Sequence, residues 1–406
     1  MHNKRQSAHA GGQLDKQTLL LLAVNGLFIT ANALSGTFLG VYLWKESNDF
    51  ILLGWFTLLT HAFMALTFWI AGNVAKEGNK MIVLRLGIGA SASFYVLVLL
   101  FGKAAIQYVW LLGIVQGIAV GFFWLAFNVV YFEATNADNR DRFNGWSGVI
   151  GSVAGMVAPW CSGYLISKMA GESGYRVIFM ISFGLFLAGI GVSFLLQKRA
   201  AAGNYDWLLT VRALRKPGAP WRPVVAALVA QGLREGVFGI VIGVLVYIQT
   251  GSEWKLGNFA LITSAVGFAS FYAVGKWLKP AWREKAMLVG TIVMTAVIVP
   301  FFFGVSFTTL LLFGIGVALF IPLYTIPMTS AVFDMIGKDE ESARQRVEYV
   351  VMRELALNAG RIAGMAIFIS TLYISRAPVV INWLLLLIGS APMLSWYFMR
   401  RRLAAE

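Results

Sequence analysis

The residues able to do chemistry in this 406-residue chain are charged side chains set in apolar surroundings. Arg234 and Glu235 stand side by side in the run from Trp221 to Thr250. They lie roughly 13 residues in, which at about 1.5 Å rise per residue is near the midplane of a bilayer. A second group recurs at helical spacing: Glu354, Asn358 and Arg361 at i, i+4 and i+7, with Arg353 on the adjacent flank. An ionisable group at such depth costs at least about 3 kcal/mol on insertion scales, so it must face a polar cavity or a partner. Neighbours on a helix diverge by about 100°, so Arg234 and Glu235 are not expected to pair with each other. The expected network joins Glu235 to Arg361 or Arg353, and Arg234 to Glu354. It is either a lock between helices or a proton-coupling device, because a carboxylate beside an arginine in a gated cavity changes its proton affinity as the cavity opens and closes.

The elements that must position these groups are membrane spans. Hydrophobic residues make up 58% of the chain against 13% charged, with 14 Trp and 30 Phe, a balance that belongs to integral membrane proteins. Runs long enough to cross a bilayer occur at 18 to 44, 49 to 75, 80 to 101, 105 to 132, 144 to 168 and 175 to 197. Six more follow at 221 to 249, 255 to 278, 284 to 304, 307 to 333, 345 to 374 and 378 to 400. The segment Met1 to Lys16 is polar, and the run after it is too long for a signal peptide and lacks a small-residue cleavage site, so it reads as the first span.

The formal charge of +14 reflects topology and not nucleic acid, because the basic residues sit in short loops between spans. With both termini inside, the outside loops hold only Lys45, Lys103, Lys168, Arg176, Lys255 and Arg376, and Arg85, Arg234, Arg353 and Arg361 lie within spans. The rest of the 33 basic residues are on the side of the termini, which makes that side cytoplasmic in a bacterial cell membrane. Cys161 is the single cysteine, which excludes an intrachain disulfide. No phosphate-loop motif, catalytic triad or metal-ligand cluster is present, so neither an enzyme nor an ATP-driven pump is expected, and no cofactor or metal.

The chain divides into 1 to 197, a basic linker 198 to 220 and 221 to 406. The linker holds Lys198, Arg199, Arg212, Arg215, Lys216 and a Pro217-Gly218 break, and Trp207 to Leu214 is amphipathic enough to lie as a short helix on the inner surface. An internal repeat supports the division. Phe68 to Lys76 after the second span parallels Phe271 to Lys279 after the eighth, Phe132-Glu133 parallels Phe333-Asp334, and Ala154-Gly155 parallels Ala359-Gly360. Repeated halves are a mark of secondary transporters, whose site lies between them near the midplane.

Twelve spans, a duplicated six-helix unit and a basic central loop resemble the major facilitator superfamily over essentially the whole chain. The stretch Asn25-Gly26-Leu27-Phe28 followed by Ala33 to Phe38 is similar to a Bacillus-type branch with no assigned substrate. The family's loop motif after span 2 survives as Gly72 to Lys80, with Lys76 at the Asp position, Glu77 at the first Arg position and one residue missing. The resemblance implies a latch with altered charges, in which Lys76 or Lys80 meets Glu133, and Lys279 or Arg283 meets Asp334. Span 4 keeps Gln116-Gly117 of the antiporter motif, but Gly113 stands where that motif has Arg. Span 5 carries Gly151, Gly155, Pro159 and Gly163, a spacing that also serves close helix packing.

The resemblance further implies that spans 1, 4, 7 and 10 line the cavity. Their polar faces supply the candidate substrate contacts Asn25 and Asn32, Gln116, Trp124 and Asn128, Gln231 and Arg234, and Tyr324, joined from span 11 by Asn358 and Arg361. Pro322 and Pro327 suggest that span 10 bends. Trp146 is a further aromatic contact, and His61 reads as a helix contact. Glu235, Glu354 and Arg353 are the proton-coupling candidates. The expectation is an all-α membrane protein with two pseudo-symmetric six-helix bundles, acting as a monomeric secondary transporter that exports a small organic or amphiphilic solute, coupled to protons. A lipid or glycolipid flippase and a non-transporting receptor or scaffold are the alternatives.

Overall fold

The computed structural model describes residues 14–135, 139–199, 203–215, 218–336 and 340–404, the side chains at 140, 141, 341 and 343 excepted. Residues 1–13, Lys216 and Pro217 therefore lie outside the described part. Among the described residues, twelve helices are long and apolar enough to cross a bilayer: Lys16–Ser47, Phe50–Glu77, Lys80–Ile106, Val109–Ala134, Arg142–Lys168, Ser173–Ser193, Trp221–Thr250, Glu253–Trp277, Pro280–Phe303, Phe307–Ile336, Arg346–Ile374 and Pro378–Leu403. They are numbered here as spans 1 to 12. No strand occurs among the described residues.

Local chemistry sets the ends of these spans. Asp15, Asp49, Asn79 and Ser252 cap spans 1, 2, 3 and 8 by accepting first-turn backbone N–H groups, which offsets the orphan donors of a helix start. The turn between spans 1 and 2 places Asn48 at φ 49°, and the turn between spans 7 and 8 places Gly251 at φ 58°. Each is followed by the cap, Asp49 or Ser252, so one turn design recurs at the offset of the internal repeat. Span 12 is not continuous: it consists of Pro378–Gly389 and Ala391–Leu403, joined at Ser390.

The packing is pseudo-symmetric. Span 1 packs on spans 5 and 6, span 2 on span 4, and span 3 on spans 4 and 6, while in the second half span 7 packs on 11 and 12, span 8 on 10, and span 9 on 10 and 12. The halves meet along spans 2 and 11 and along spans 5 and 8. Without a hydrophobic drive in lipid, close approach of backbones is what holds such helices together. A Cβ on Gly360 would stand 2.0 Å from the Val229 carbonyl oxygen, so spans 7 and 11 cross at a point where only glycine fits. Spans 5 and 8 meet in the same manner at Gly163 and Gly257, so Gly163 of span 5 serves packing, whereas a Cβ at Gly151 would meet nothing within 4 Å. The linker forms a short helix, Leu209–Arg215, and Trp207 before it sits edge-on to Trp69 at 5.2 Å.

Candidate functional site

The crossing of spans 7 and 11 brings the midplane charges together. Arg361 Nη2 and Nε donate to Glu235 Oε2 at 2.7 and 3.1 Å, and Gln231 Nε2 donates to Glu235 Oε1 at 2.7 Å. Both carboxylate oxygens are thus engaged, although the Glu235 side chain keeps 37% exposure. Asn358 accepts from Arg361 Nη1 at 3.3 Å while its own amide donates to the Glu354 carbonyl oxygen, so it orients the guanidinium and does not face a cavity. Glu354 takes Arg353 at 2.5 Å and lies 3.9 Å from Arg361. His61 of span 2 stands beside Asn358 and Arg361, as a helix contact.

Arg234 corrects the expected network. It does not reach Glu354, because it lies on another flank of span 7, where its guanidinium stacks over Phe238 at 4.7 Å. Its Nε and Nη2 are buried and have no hydrogen-bond partner among the described residues. The pair of sequence neighbours that does form is Arg353 with Glu354; the long arginine side chain bridges a divergence that the helix geometry alone would forbid.

Arg234 and Glu235 line a cavity of about 430 Å³ within the second half, between spans 7, 8 and 10. The rest of its wall is mostly apolar, with Phe238, Ile242, Phe259, Phe313 and Val317, and Thr263 and Ser264 as hydroxyls. Sequence reasoning missed the wall from span 8, since Phe259, Thr263 and Ser264 carry no signal that separates a cavity face from a packing face.

Several candidates go elsewhere. Tyr324 is buried and donates to Ser395 Oγ at 3.0 Å in a core shared with Trp221, Met328 and Met399, so it braces spans 10 and 12 instead of lining the cavity. Asn25 is buried and donates to Ser147 at 2.9 Å, and Asn32 donates to the Phe28 carbonyl of its own helix. Trp124 packs edge-on against Phe28 and Phe127. Gln116 and Asn128 are half-buried, and neither lines the cavity described above. Trp146 is half exposed. Arg85 donates to the Ser193 carbonyl at 3.1 Å, so it caps the end of span 6.

At the side of the termini, Lys80 pairs with Glu133, and Arg283 stands 3.6 Å from Asp334, the equivalent place in the second half. Lys76 pairs with Glu348 of span 11 and not with Glu133, because the span 2 to span 11 seam delivers Glu348 to it. Glu348 was not singled out in the sequence, since an acidic residue at the first turn of a span is ordinary. Lys279 has no ion pair among the described residues, and at the repeat offset the position matching Glu348 is Gly145, which offers no acid. On the far side Lys45 Nζ donates to Glu253 Oε1 at 2.9 Å, where Tyr175 also donates at 2.8 Å, and Arg376 stands 3.5 Å from Asp49. Both ends of the bundle are therefore tied across the two halves.

Twelve spans in two pseudo-symmetric bundles, with charges held in mid-span and ion pairs at both ends, define a membrane transporter fold. The model of the Major Facilitator Superfamily matches residues 21–345, and the chain belongs to that family. It is 39% identical to the uncharacterized protein YqgE of Bacillus subtilis (strain 168), over 95% of this chain and 90% of that protein. An uncharacterized protein from Geobacillus stearothermophilus is 44% identical over 41% of this chain and 78% of its own length. Among solved structures, the nucleoside transporter NupG superposes with a TM-score of 0.73 at 14% identity, covering 95% of this chain and 99% of the other. The human organic anion transporter MFSD10 does so with a TM-score of 0.65 at 12% identity, covering 94% and 98%. At these identities the likeness is one of fold.

Proposed function

We propose that this chain is a secondary active transporter that moves a small organic or amphiphilic solute by alternating access, coupled to protons through Glu235, and exports it across the bacterial cell membrane with both termini in the cytoplasm. The observation that carries the reading is the Glu235–Arg361 pair, which bridges spans 7 and 11 beside an otherwise apolar cavity. A carboxylate's proton affinity depends on whether a guanidinium stands beside it. Sliding of one span against the other changes that pairing, so opening of the cavity and proton exchange are linked. The 37% exposure of the Glu235 side chain gives a proton a route to it, and Gln231, Asn358 and Glu354 hold the pair in register. The pair Lys76–Glu348, which joins the two halves, serves in this reading as the latch that keeps the terminal side closed, and Lys80–Glu133 and Arg283–Asp334 brace each half behind it.

Purified protein in liposomes with an imposed pH gradient tests the proposal against a panel of organic ions and amphiphiles. Wild type should couple solute efflux to proton movement, whereas Glu235→Gln should lose the coupling and keep gradient-free solute exchange. Solute flux with no proton movement in wild type would remove the coupling, and uptake driven by the same gradient would reverse the direction. Scrambling of a lipid reporter without flux of any solute would put a flippase in place of this reading.

A further inference from the structure

Arg234 is a charge in the second half's cavity wall that no hydrogen bond or ion pair among the described residues engages, although the Glu235 carboxylate lies near enough to act on it through space. Its residue exposure is 7%, and neither Nε nor Nη2 has a partner among the described residues. Glu235 beside it is already occupied by Arg361 and Gln231. Glu354 is held by Arg353 and Arg361, and the Tyr324 hydroxyl is engaged by Ser395. A buried guanidinium with free donors is costly unless something with negative charge meets it. Its guanidinium lies over the Phe238 ring at 4.7 Å, and a planar guanidinium can give two parallel hydrogen bonds to a carboxylate or phosphate. The remaining wall, with Phe238, Ile242, Phe259, Phe313 and Val317, accepts an apolar body, and the Thr263 and Ser264 hydroxyls there already donate to the Phe259 and Gly155 carbonyls, which leaves Arg234 as the wall's donor for an anion.

From this geometry we infer that Arg234 is the docking point for the single anionic head of an otherwise apolar molecule, so that the solute class is an amphiphilic organic anion. The inference rests on the transport reading and names the solute for the same cavity. It also fits export, because an interior-negative membrane potential drives a monoanion outward.

Equilibrium binding to the purified full-length protein in detergent tests it with a matched set: 1-naphthoate, neutral 1-naphthalenemethanol, cationic 1-naphthylmethylamine, and dodecyl phosphate as the lipid-like source of the same anionic head. Wild type should prefer the two anions over the neutral and cationic probes by about tenfold or more. Arg234→Gln should lose that preference and still bind 1-naphthalenemethanol as wild type does, which shows that the cavity has folded. Arg234→Lys should restore part of the preference, since it keeps the charge without the fork. Naphthoate preferred over dodecyl phosphate assigns a soluble solute, and the reverse assigns a lipid-like one; both uphold the anion site. Equal binding of all four probes by wild type, or undiminished anion preference in Arg234→Gln, overturns it. Arg234-dependent anion binding without any flux in liposomes would retain the site and defeat the transport reading, whereas coupled flux untouched by Arg234→Gln would do the opposite.

Discussion

Glu348, at the start of span 11, accepts Lys76 Nζ from span 2 and, at 3.1 Å, the backbone N–H of Asp206 from the linker. One buried carboxylate thus ties the first half, the second half and the segment between them. Glu77 extends the tie by accepting the Tyr205 N–H at 2.6 Å, so the linker is docked across the seam and not merely strung between the halves.

Breaking this pair from one side should destabilise the closed terminal end. Lys76 and Glu348 have side-chain exposures of 6% and 1%, and removing one partner of a buried pair leaves a charge uncompensated, at a cost of about 3–5 kcal/mol. Glu348→Gln is therefore expected to raise labelling of cysteines introduced on the terminal side of the cavity. The double change Lys76→Met with Glu348→Leu should recover most of the thermal stability, since it removes both charges together. Labelling equal to wild type in Glu348→Gln would show that the pair does not hold this end shut.

Asn358 should matter through Arg361. Its carbonyl oxygen receives Arg361 Nη1 at 3.3 Å and its own amide is tied to its helix. Asn358→Leu is expected to cost about 1–3 kcal/mol of stability by leaving a donor unsatisfied. It should also lower proton-coupled flux more than gradient-free exchange. Equal losses in both would make Asn358 a packing residue only.

Restoring the arginine of the family's antiporter motif should fail. A Cβ at Gly113 would meet the Phe56 carbonyl oxygen at 2.8 Å and Leu59 Cβ at 3.1 Å. Gly117, one turn on, is as tightly placed against the Thr60 carbonyl, at 2.4 Å. Gly113→Arg has no room between spans 2 and 4, so it should abolish monodisperse protein on size exclusion. Overpacking of this kind costs at least about 1–3 kcal/mol even for small additions. A folded Gly113→Arg protein would mean that spans 2 and 4 can separate.

Outside the membrane, pH should act on the linker through Asp206. Its ion pair with Arg212, helped by the Leu208 N–H, holds the carboxyl below its usual value. A depressed folded value means that the pair's contribution is fully present above the unfolded carboxylate range, about 3.8, and is lost as pH falls through the lower folded value. The protection of the Leu209–Arg215 amides, taken relative to their intrinsic exchange at each pH, should therefore stay flat down to pH 4 and fall only below it. Asp206→Asn should remove that step.

The twelve spans and the placing of charge at mid-depth were legible because each depends on local composition and on lengths matched to a bilayer, whereas the pairing of Lys80 with Glu133 was one of two that the family resemblance implied. The recurrence of an αL residue followed by a helix cap at Asn48-Asp49 and at Gly251-Ser252 was equally present in the chain, as the same turn chemistry written twice. What the chain does not state locally is how far each helix is rotated about its axis. That rotation decides that Arg361 and not Arg353 reaches Glu235, that Tyr324 turns to Ser395, and that Lys76 finds Glu348. It is set by backbone contacts such as Gly232 on Gly360, between spans more than a hundred residues apart. A side chain's neighbours in a helical bundle follow from those crossings, so the charges of the site could be read in advance, and its wall and its partnerships only from the tertiary structure.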